Sequence, residues 1–195
     1  MTGFSLTTWR AASSWFQPEI PASLSPYLLD AGSSTKWLRQ AYGKTLKIQV
    51  LSQGWQALTR SEEQCLNLRP RSYALVREVA IYGKGNCVML GRSVFPASIL
   101  TGKTKSLAHY LDERPLGELL FQYPSLQRSE FELALLQPSN IEYAAAQPYL
   151  ANKSPPLWAR RSIFYIDEKP MLLTEIFLPK LLAWCSKKSQ NNGSP

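Results

Sequence analysis

The sequence predicts an α+β domain built around an antiparallel sheet. Ser72–Tyr82 and Cys87–Phe95 read as strands, and Gly83-Lys84-Gly85-Asn86 between them has the composition of a tight hairpin turn. A second pair of strand-like runs, Leu157–Ile166 and Met171–Leu178, meets around Asp167-Glu168-Lys169-Pro170. Hairpins with short turns make antiparallel sheet, and the helical patterns lie mainly before and between them.

Along the chain, the first helix is expected over Thr35–Tyr42, with Ser33 or Ser34 as N-cap and Gly43 as the stop. Lys44–Leu51 then alternates, with Leu46, Ile48 and Val50 on one face and Lys47 and Gln49 on the other, the pattern of a half-buried strand. Pro96 ends the second strand of the first hairpin. Pro115 suits a helix start, so Leu116–Phe121 is expected as a short helix that stops near Pro124. Residues 126–136 fit another strand. Residues 137–156, with prolines at 138, 148, 155 and 156, read as a long irregular connection. Pro179–Cys185 is a short apolar stretch between lysines, expected to pack as a terminal turn rather than to bind a membrane surface. Residues 186–195 have the composition of a disordered tail. The expected organisation is one domain over 1–179 with a basic, flexible extension over 180–195.

The 195 residues, 45% of them apolar, suffice for a single sizeable core. No uncharged apolar run is long enough to cross a bilayer, and Met1–Ile20 lacks the apolar stretch of a signal peptide, so the expected compartment is the cytosol. Cys65, Cys87 and Cys185 have no CxxC spacing and read as free thiols. His109 is the one histidine, which disfavours a zinc site and histidine-based nucleophilic chemistry. The 22 basic and 14 acidic side chains leave a net charge of +8. The basic residues are spread along the chain, which suits a small anionic ligand at least as well as DNA. Trp9, Trp15, Trp37 and Trp55 are not organised by a basic stripe, so no nucleic-acid partner is expected.

Two charges sit in apolar rows. Tyr73, Leu75, Arg77, Val79 and Ile81 share a face at period two, as do Met171, Leu173, Glu175 and Phe177. A buried charge without a partner costs several kcal/mol, so Arg77 and Glu175 must each meet a counter-charge or a ligand. Either they pair, with each other or with residues such as Glu78, or they line a pocket in which Arg77 grips a carboxylate and Glu175 faces the other end of the ligand. Arg92, in a row with Val88, Leu90 and Val94, adds to the anion-pocket reading. The opposite row of Ala74, Val76 and Ala80 is nearly as apolar, which leaves the facing of these strands open.

These segments resemble the bacterial chorismate pyruvate-lyase family. The resemblance is carried by Tyr-Ala-Leu-Val-Arg-Glu-Val (73–79), Leu-Gly-Arg-Ser-Val-Phe-Pro (90–96), Pro-Leu-Gly-Glu-Leu-Leu-Phe (115–121), Trp-Ala-Arg-Arg-Ser (158–162) and Pro-Met-Leu-Leu-Thr-Glu-Ile-Phe-Leu-Pro (170–179). Weaker matches are Ser-Ser-Thr-Lys (33–36) and Gly-Lys-Thr (43–45). The resemblance implies an antiparallel sheet of about six strands with helices on one side, a buried pocket under flap-like loops, and a monomer that uses neither metal nor organic cofactor. It implies conversion of chorismate to 4-hydroxybenzoate and pyruvate, the first step of ubiquinone biosynthesis. It casts Arg77 as the ligand of the aromatic carboxylate, Glu175 as the contact of the hydroxyl end, and Leu116 as a ligand contact through its backbone. Ser34 stands where the family often has a larger apolar flap residue. Two routes stay open for the C4 hydrogen: Glu175 as general base with an arginine such as Arg92 on the departing enolate, or intramolecular transfer to the enolpyruvyl methylene. A pocket that fits the flat product implies product inhibition and turnover limited by release. The rival from another class is a non-catalytic domain that senses an aromatic carboxylate, as in bacterial regulators of similar fold. Those follow a helix-turn-helix segment, for which the stretch before Lys44 leaves no room.

Overall fold

The computed structural model describes residues 5–16, 19–102, 116–120, 122–151 and 155–191. Among these, eight strands form one antiparallel sheet: β1 (Arg10–Ala11), β2 (Lys47–Ala57), β3 (Tyr73–Gly83), β4 (Asn86–Phe95), β5 (Gln127–Arg128), β6 (Glu132–Leu136), β7 (Leu157–Ile166) and β8 (Lys169–Phe177). Their order across the sheet is β1-β6-β7-β8-β4-β3-β2, with β5 also paired to β7. The sheet therefore exceeds the expected six strands by two, and β1 and β5 are only two residues long.

Both hairpins form where the sequence places them. Lys84 and Gly85 sit at φ of 50° and 78°, and Asp167 and Glu168 at 49° and 65°, the double positive φ of a type I′ turn that matches strand twist. The first hairpin is not regular, however. Tyr82 pairs with Cys87 but Ile81 pairs with Met89, so Val88 is an extra residue, a β-bulge. A second bulge at Leu51 lies between the Val50–Val79 and Ser52–Glu78 pairs.

The described helices are α1 (Ser25–Leu28), α2 (Ser34–Tyr42), α3 (Arg60–Cys65), α4 (Leu116–Leu120), α5 (Ile141–Ala146) and α6 (Pro179–Asn191). They cover both faces of the sheet, not one. On the first face α1, α2 and α6 place Leu28, Leu38, Tyr42, Leu181 and Cys185 on Val79, Ile81, Met89, Trp158 and Phe177. On that same face α4 packs Leu116, Leu119 and Leu120 against Leu75, Phe95, Phe164, Ile166 and Met171. The second face carries α5, through Tyr143 and Ala146, and the end of α3, through Leu66.

Several elements differ from expectation. Gly43–Thr45 is a 3-10 turn, and β2 runs on to Ala57 although Ser52, Gln53 and Gln56 break the apolar pattern; it is an edge strand that water can reach. α3 starts at a capping box, in which Thr59 and Glu62 each satisfy the other's backbone N–H. Residues 126–136 are divided into β5 and β6. The stretch 137–156 is not wholly irregular: it holds α5 and a 3-10 turn over Gln147–Tyr149, so that Pro148 begins a turn instead of breaking one. The chain from Pro179 is helical to Asn191, and Leu181 and Cys185 are fully buried, so the packed body extends past residue 179. The three cysteines are unbridged. His109, Pro115 and Phe121 lie outside the described residues.

Candidate active site

On the first face, the helices over one end of the sheet and α4 over the other leave a cavity between them. It opens to solvent, and the space within it together with that open mouth is about 630 Å³. Its floor is the sheet, through Arg77 and Val79 of β3, Gly91 and Ser93 of β4, and Leu173 and Glu175 of β8. Its walls are Ser33 to Thr35 at the start of α2, Leu116, Gly117 and Leu120 of α4, and Arg128 and Phe164. Thus Arg77, Glu175, Leu116 and Ser34 lie around one cavity.

Register sets their spacing. Val79, Gly91 and Glu175 are successive partners across β3, β4 and β8, and Arg77, Ser93 and Leu173 form the next rung on this face. Arg77 and Glu175 therefore stand two strands apart, roughly 10 Å, and about 7 Å apart along the strands. Gly91 lies between them, and its missing side chain leaves the floor open at that point.

Glu175 is paired with Arg160, not with Arg77. The Arg160 guanidinium is wholly buried, and its Nε donates to Glu175 Oε2 at 2.6 Å. Its Nη1 lies 2.9–3.0 Å from the carbonyl oxygens of Tyr27, Leu28 and Asp30, and Nη2 donates to the Ser34 hydroxyl. Burial acts to raise the Glu175 pKa, but Arg160, the Ser34 hydroxyl and Arg128 together outweigh it and hold the carboxyl below its ordinary value. The surroundings of Glu175 therefore favour its charged form.

Arg92 does not join the cavity, because it lies on the second face. There its Nε donates to Glu62 at 2.6 Å and its Nη1 to Glu78 at 2.9 Å. The Val88 bulge is the physical reason. A regular hairpin continuing from Tyr82–Cys87 would place Arg92 opposite Arg77, on the same face. One extra residue flips every side chain beyond it, so Arg77 faces Ser93 and Arg92 faces Glu78.

Two arginines of the site escaped the sequence reading: Arg128 in the cavity wall and Arg160, buried behind Glu175 and outside the lining. Arg160 occupies the row Trp158, Arg160, Ser162, Phe164, Ile166, a charge among mostly apolar side chains and the same signal that pointed to Arg77 and Glu175. Arg128 carried no such signal, since β5 is too short to show a period. Its Nε donates to Ser162, its Nη1 to the carbonyls of Ala31 and Gly32, and its guanidinium stacks on Phe131 and Phe164 at 4.1 and 4.5 Å. Burial and the nearby Arg160 push its pKa down to about 10, against Glu175 and Asp30. Among the described residues no cluster of His, Cys, Asp or Glu could hold a metal ion, and no helix is long and apolar enough to cross a membrane.

Solved structures show the same fold in bacterial regulators. The effector domain of PhnF from Mycobacterium smegmatis superposes with a TM-score of 0.52 at 14% identity, over 78% of this chain and 91% of that one. A GntR-family transcriptional regulator from Bacillus cereus gives 0.51 at 10% identity, over 70% and 94%. At such identity the likeness is one of fold. Sequence relatives are closer. A protein of Methylococcus capsulatus named "Probable chorismate pyruvate-lyase" is 36% identical over 160 residues, 82% of this chain and 97% of that protein. One of the same name from Thiobacillus denitrificans is 34% identical over 164 residues, 84% and 87%. A sequence model of the chorismate lyase family matches residues 5–187, and with these relatives it establishes that the chain belongs to the chorismate lyase family.

Proposed function

We propose that the protein is a chorismate pyruvate-lyase that releases 4-hydroxybenzoate and pyruvate, supplying the aromatic precursor of ubiquinone as a cytosolic monomer. The observation that carries this reading is one cavity that holds both a buried cation, Arg77, and a buried carboxylate, Glu175, two strands apart across an otherwise largely apolar floor. A flat ring acid with a hydroxyl at its far end fits that polarity. Arg77 takes the ring carboxylate in a charge-assisted contact, and Glu175 accepts from the C4 hydroxyl. Leu116 and Leu120 close over the ring from α4, and the cavity's second cation is Arg128 rather than Arg92.

In the reaction the C3–O ether bond breaks, the C4–H hydrogen leaves, and the ring becomes aromatic. Glu175 is a poor general base, because Arg160 and Ser34 stabilise its charged form and lower its proton affinity. The geometry favours intramolecular transfer. The C4 hydrogen passes to the enolpyruvyl methylene as the C3–O bond opens, and pyruvate leaves as its keto form without a protein base. The residues then act by holding the ether arm over C4, a conformational contribution that can supply much of the barrier reduction. Product inhibition follows, since 4-hydroxybenzoate keeps both polar contacts and loses only the departing arm.

The test is incubation of purified protein with chorismate in metal-free buffer, with both products resolved by chromatography. Equimolar 4-hydroxybenzoate and pyruvate support the lyase. In Glu175→Gln, a loss of turnover below about tenfold with weakened product affinity supports intramolecular transfer, whereas a loss of about 10²- to 10⁴-fold marks Glu175 as the base. Binding of 4-hydroxybenzoate without turnover would instead make the protein a sensor that shares the regulators' fold.

A further inference from the structure

Arg128 lines the cavity, yet neither contact assigned to the ring acid uses it. From its place opposite Phe164 the side chain runs back along β7: Nε donates to the Ser162 hydroxyl at 2.8 Å, and the guanidinium lies 4.5 Å from the Phe164 ring centre. Ser162 pairs with Leu173, so the guanidinium stands at the end of the rung formed by Arg77, Ser93, Leu173 and Ser162. The two ends of that rung are three strand spacings apart, roughly 14 Å. Glu175 lies between those ends on the neighbouring rung, about 7 Å along the strands. Arg128 is held by neutral oxygens, the Ser162 hydroxyl and the carbonyls of Ala31 and Gly32, through Nε and Nη1. With a pKa of about 10 it is charged at neutral pH. Among the described lining residues of the cavity, Arg77 and Arg128 are the cations.

We infer that Arg128 receives the second carboxylate of the substrate, the one carried by the enolpyruvyl arm, and so makes the site select the dicarboxylate over the monocarboxylate it becomes. The inference rests on the lyase reading and deepens it. With the ring carboxylate on Arg77 and the C4 hydroxyl on Glu175, the ether at C3, next to C4, leaves the ring in the half of the cavity that Glu175 occupies. Arg128 is the lining cation of that half, beyond Glu175 from Arg77 in the order of the strands. A guanidinium held through Nε and Nη1 still presents the N–H groups of Nη2, and its planar fork suits a carboxylate. When the C3–O bond opens, this carboxylate departs with pyruvate, and 4-hydroxybenzoate keeps its contacts with Arg77 and Glu175. Arg128 thus holds the arm of the substrate and has no hold on the aromatic product.

The experiment measures kcat/KM for chorismate, and affinity for 4-hydroxybenzoate by calorimetry, in the wild type and in Arg128→Gln. In the variant kcat/KM should fall roughly 30-fold or more, the loss expected of a charge-assisted contact, while product affinity changes by less than about threefold. Arg77→Gln should instead lose both. An unchanged kcat/KM in Arg128→Gln, or a product affinity that falls as far as kcat/KM, overturns the subsite and leaves the lyase intact. A second measurement needs neither turnover nor the variant. It compares binding to the wild type of 3-(carboxymethoxy)-4-hydroxybenzoate, which carries both carboxylates, with that of its side-arm amide. The acid should bind at least about tenfold more tightly, and a folded Arg128→Gln should lose that preference. If the wild type does not turn over chorismate, the lyase reading fails by itself and this pair of ligands decides the subsite. The pair also decides it if Arg128→Gln does not fold. Equal affinity for acid and amide, or binding of neither, then overturns it.

Discussion

Replacing Arg160 by methionine isolates the device that holds the site together. The substitution keeps the apolar stem of a wholly buried side chain but removes the guanidinium, with its charge and every N–H that reaches Glu175, Ser34 and the carbonyls of Tyr27, Leu28 and Asp30. Removing one member of a buried pair leaves the other desolvated and uncompensated, which costs about 3–5 kcal/mol. For a domain of this size that is a fall of roughly 6–20 °C in thermal midpoint. Glu175, only 6% exposed, would then be governed by burial, and its pKa should move up from its present lowered value. Thermal and urea unfolding measure the stability. The double variant Arg160→Met/Glu175→Leu tests the cause: with the orphaned carboxylate gone, at least half of the loss should return. A single variant that costs less than about 1 kcal/mol, the range of an exposed ion pair, would refute the reasoning. So would a double variant no more stable than the single.

Other expectations follow from the same geometry. Arg77→Ala should weaken 4-hydroxybenzoate binding and raise KM by roughly 30-fold to several thousand-fold, the equivalent of about 2–5 kcal/mol for a buried charge-assisted contact; calorimetry that finds unchanged affinity would remove Arg77 from the site. Acid should destabilise the fold through Glu175. Its folded pKa lies below the unfolded value, so its contribution is complete above about pH 4.3 and is lost as pH falls through the folded value. Glu175→Gln should therefore show a shallower fall in thermal midpoint below that pH than the wild type does. Gly83→Ala should cost about 1–3 kcal/mol, because its Cβ would lie 2.5–2.6 Å from the Tyr42 ring. Gly54→Ala, with nothing within 4 Å, is the control, and equal midpoints would show that the Tyr42 contact relaxes freely.

What could be read in the sequence was whatever a short local rule governs. The turns at 84–85 and 167–168 announced both hairpins, and a single charge in an apolar row marked Arg77 and Glu175. Arg92 was misplaced because alternation reports a face only within an unbroken register. Val88 breaks that register, and strands buried on both sides give no polar face to reset it. α5 was hidden by prolines that sit at its flanks and in the following turn. Arg128 reaches the cavity by tertiary placement of a two-residue strand. The lowered pKa of Glu175 is likewise tertiary, since it depends on Arg160 from the adjacent strand and Ser34 from a distant helix.

Arg160 also determines which way the entrance can breathe. It fastens the carbonyls of Tyr27, Leu28 and Asp30 and the hydroxyl of Ser34 to the same carboxylate that faces the ligand. One doorpost of the cavity and its far polar contact are therefore a single mechanical part. That side cannot swing outward without pulling Glu175 out of register with the sheet. On the opposite side α4 meets the sheet through Leu116, Leu119 and Leu120, apolar contacts that fix no direction, so a ligand passes there at lower cost. The molecule thus separates its rigid, charge-bearing half from the half that apolar packing lets slide. A bound acid can be held in fixed geometry at one end while the other end of its chamber yields.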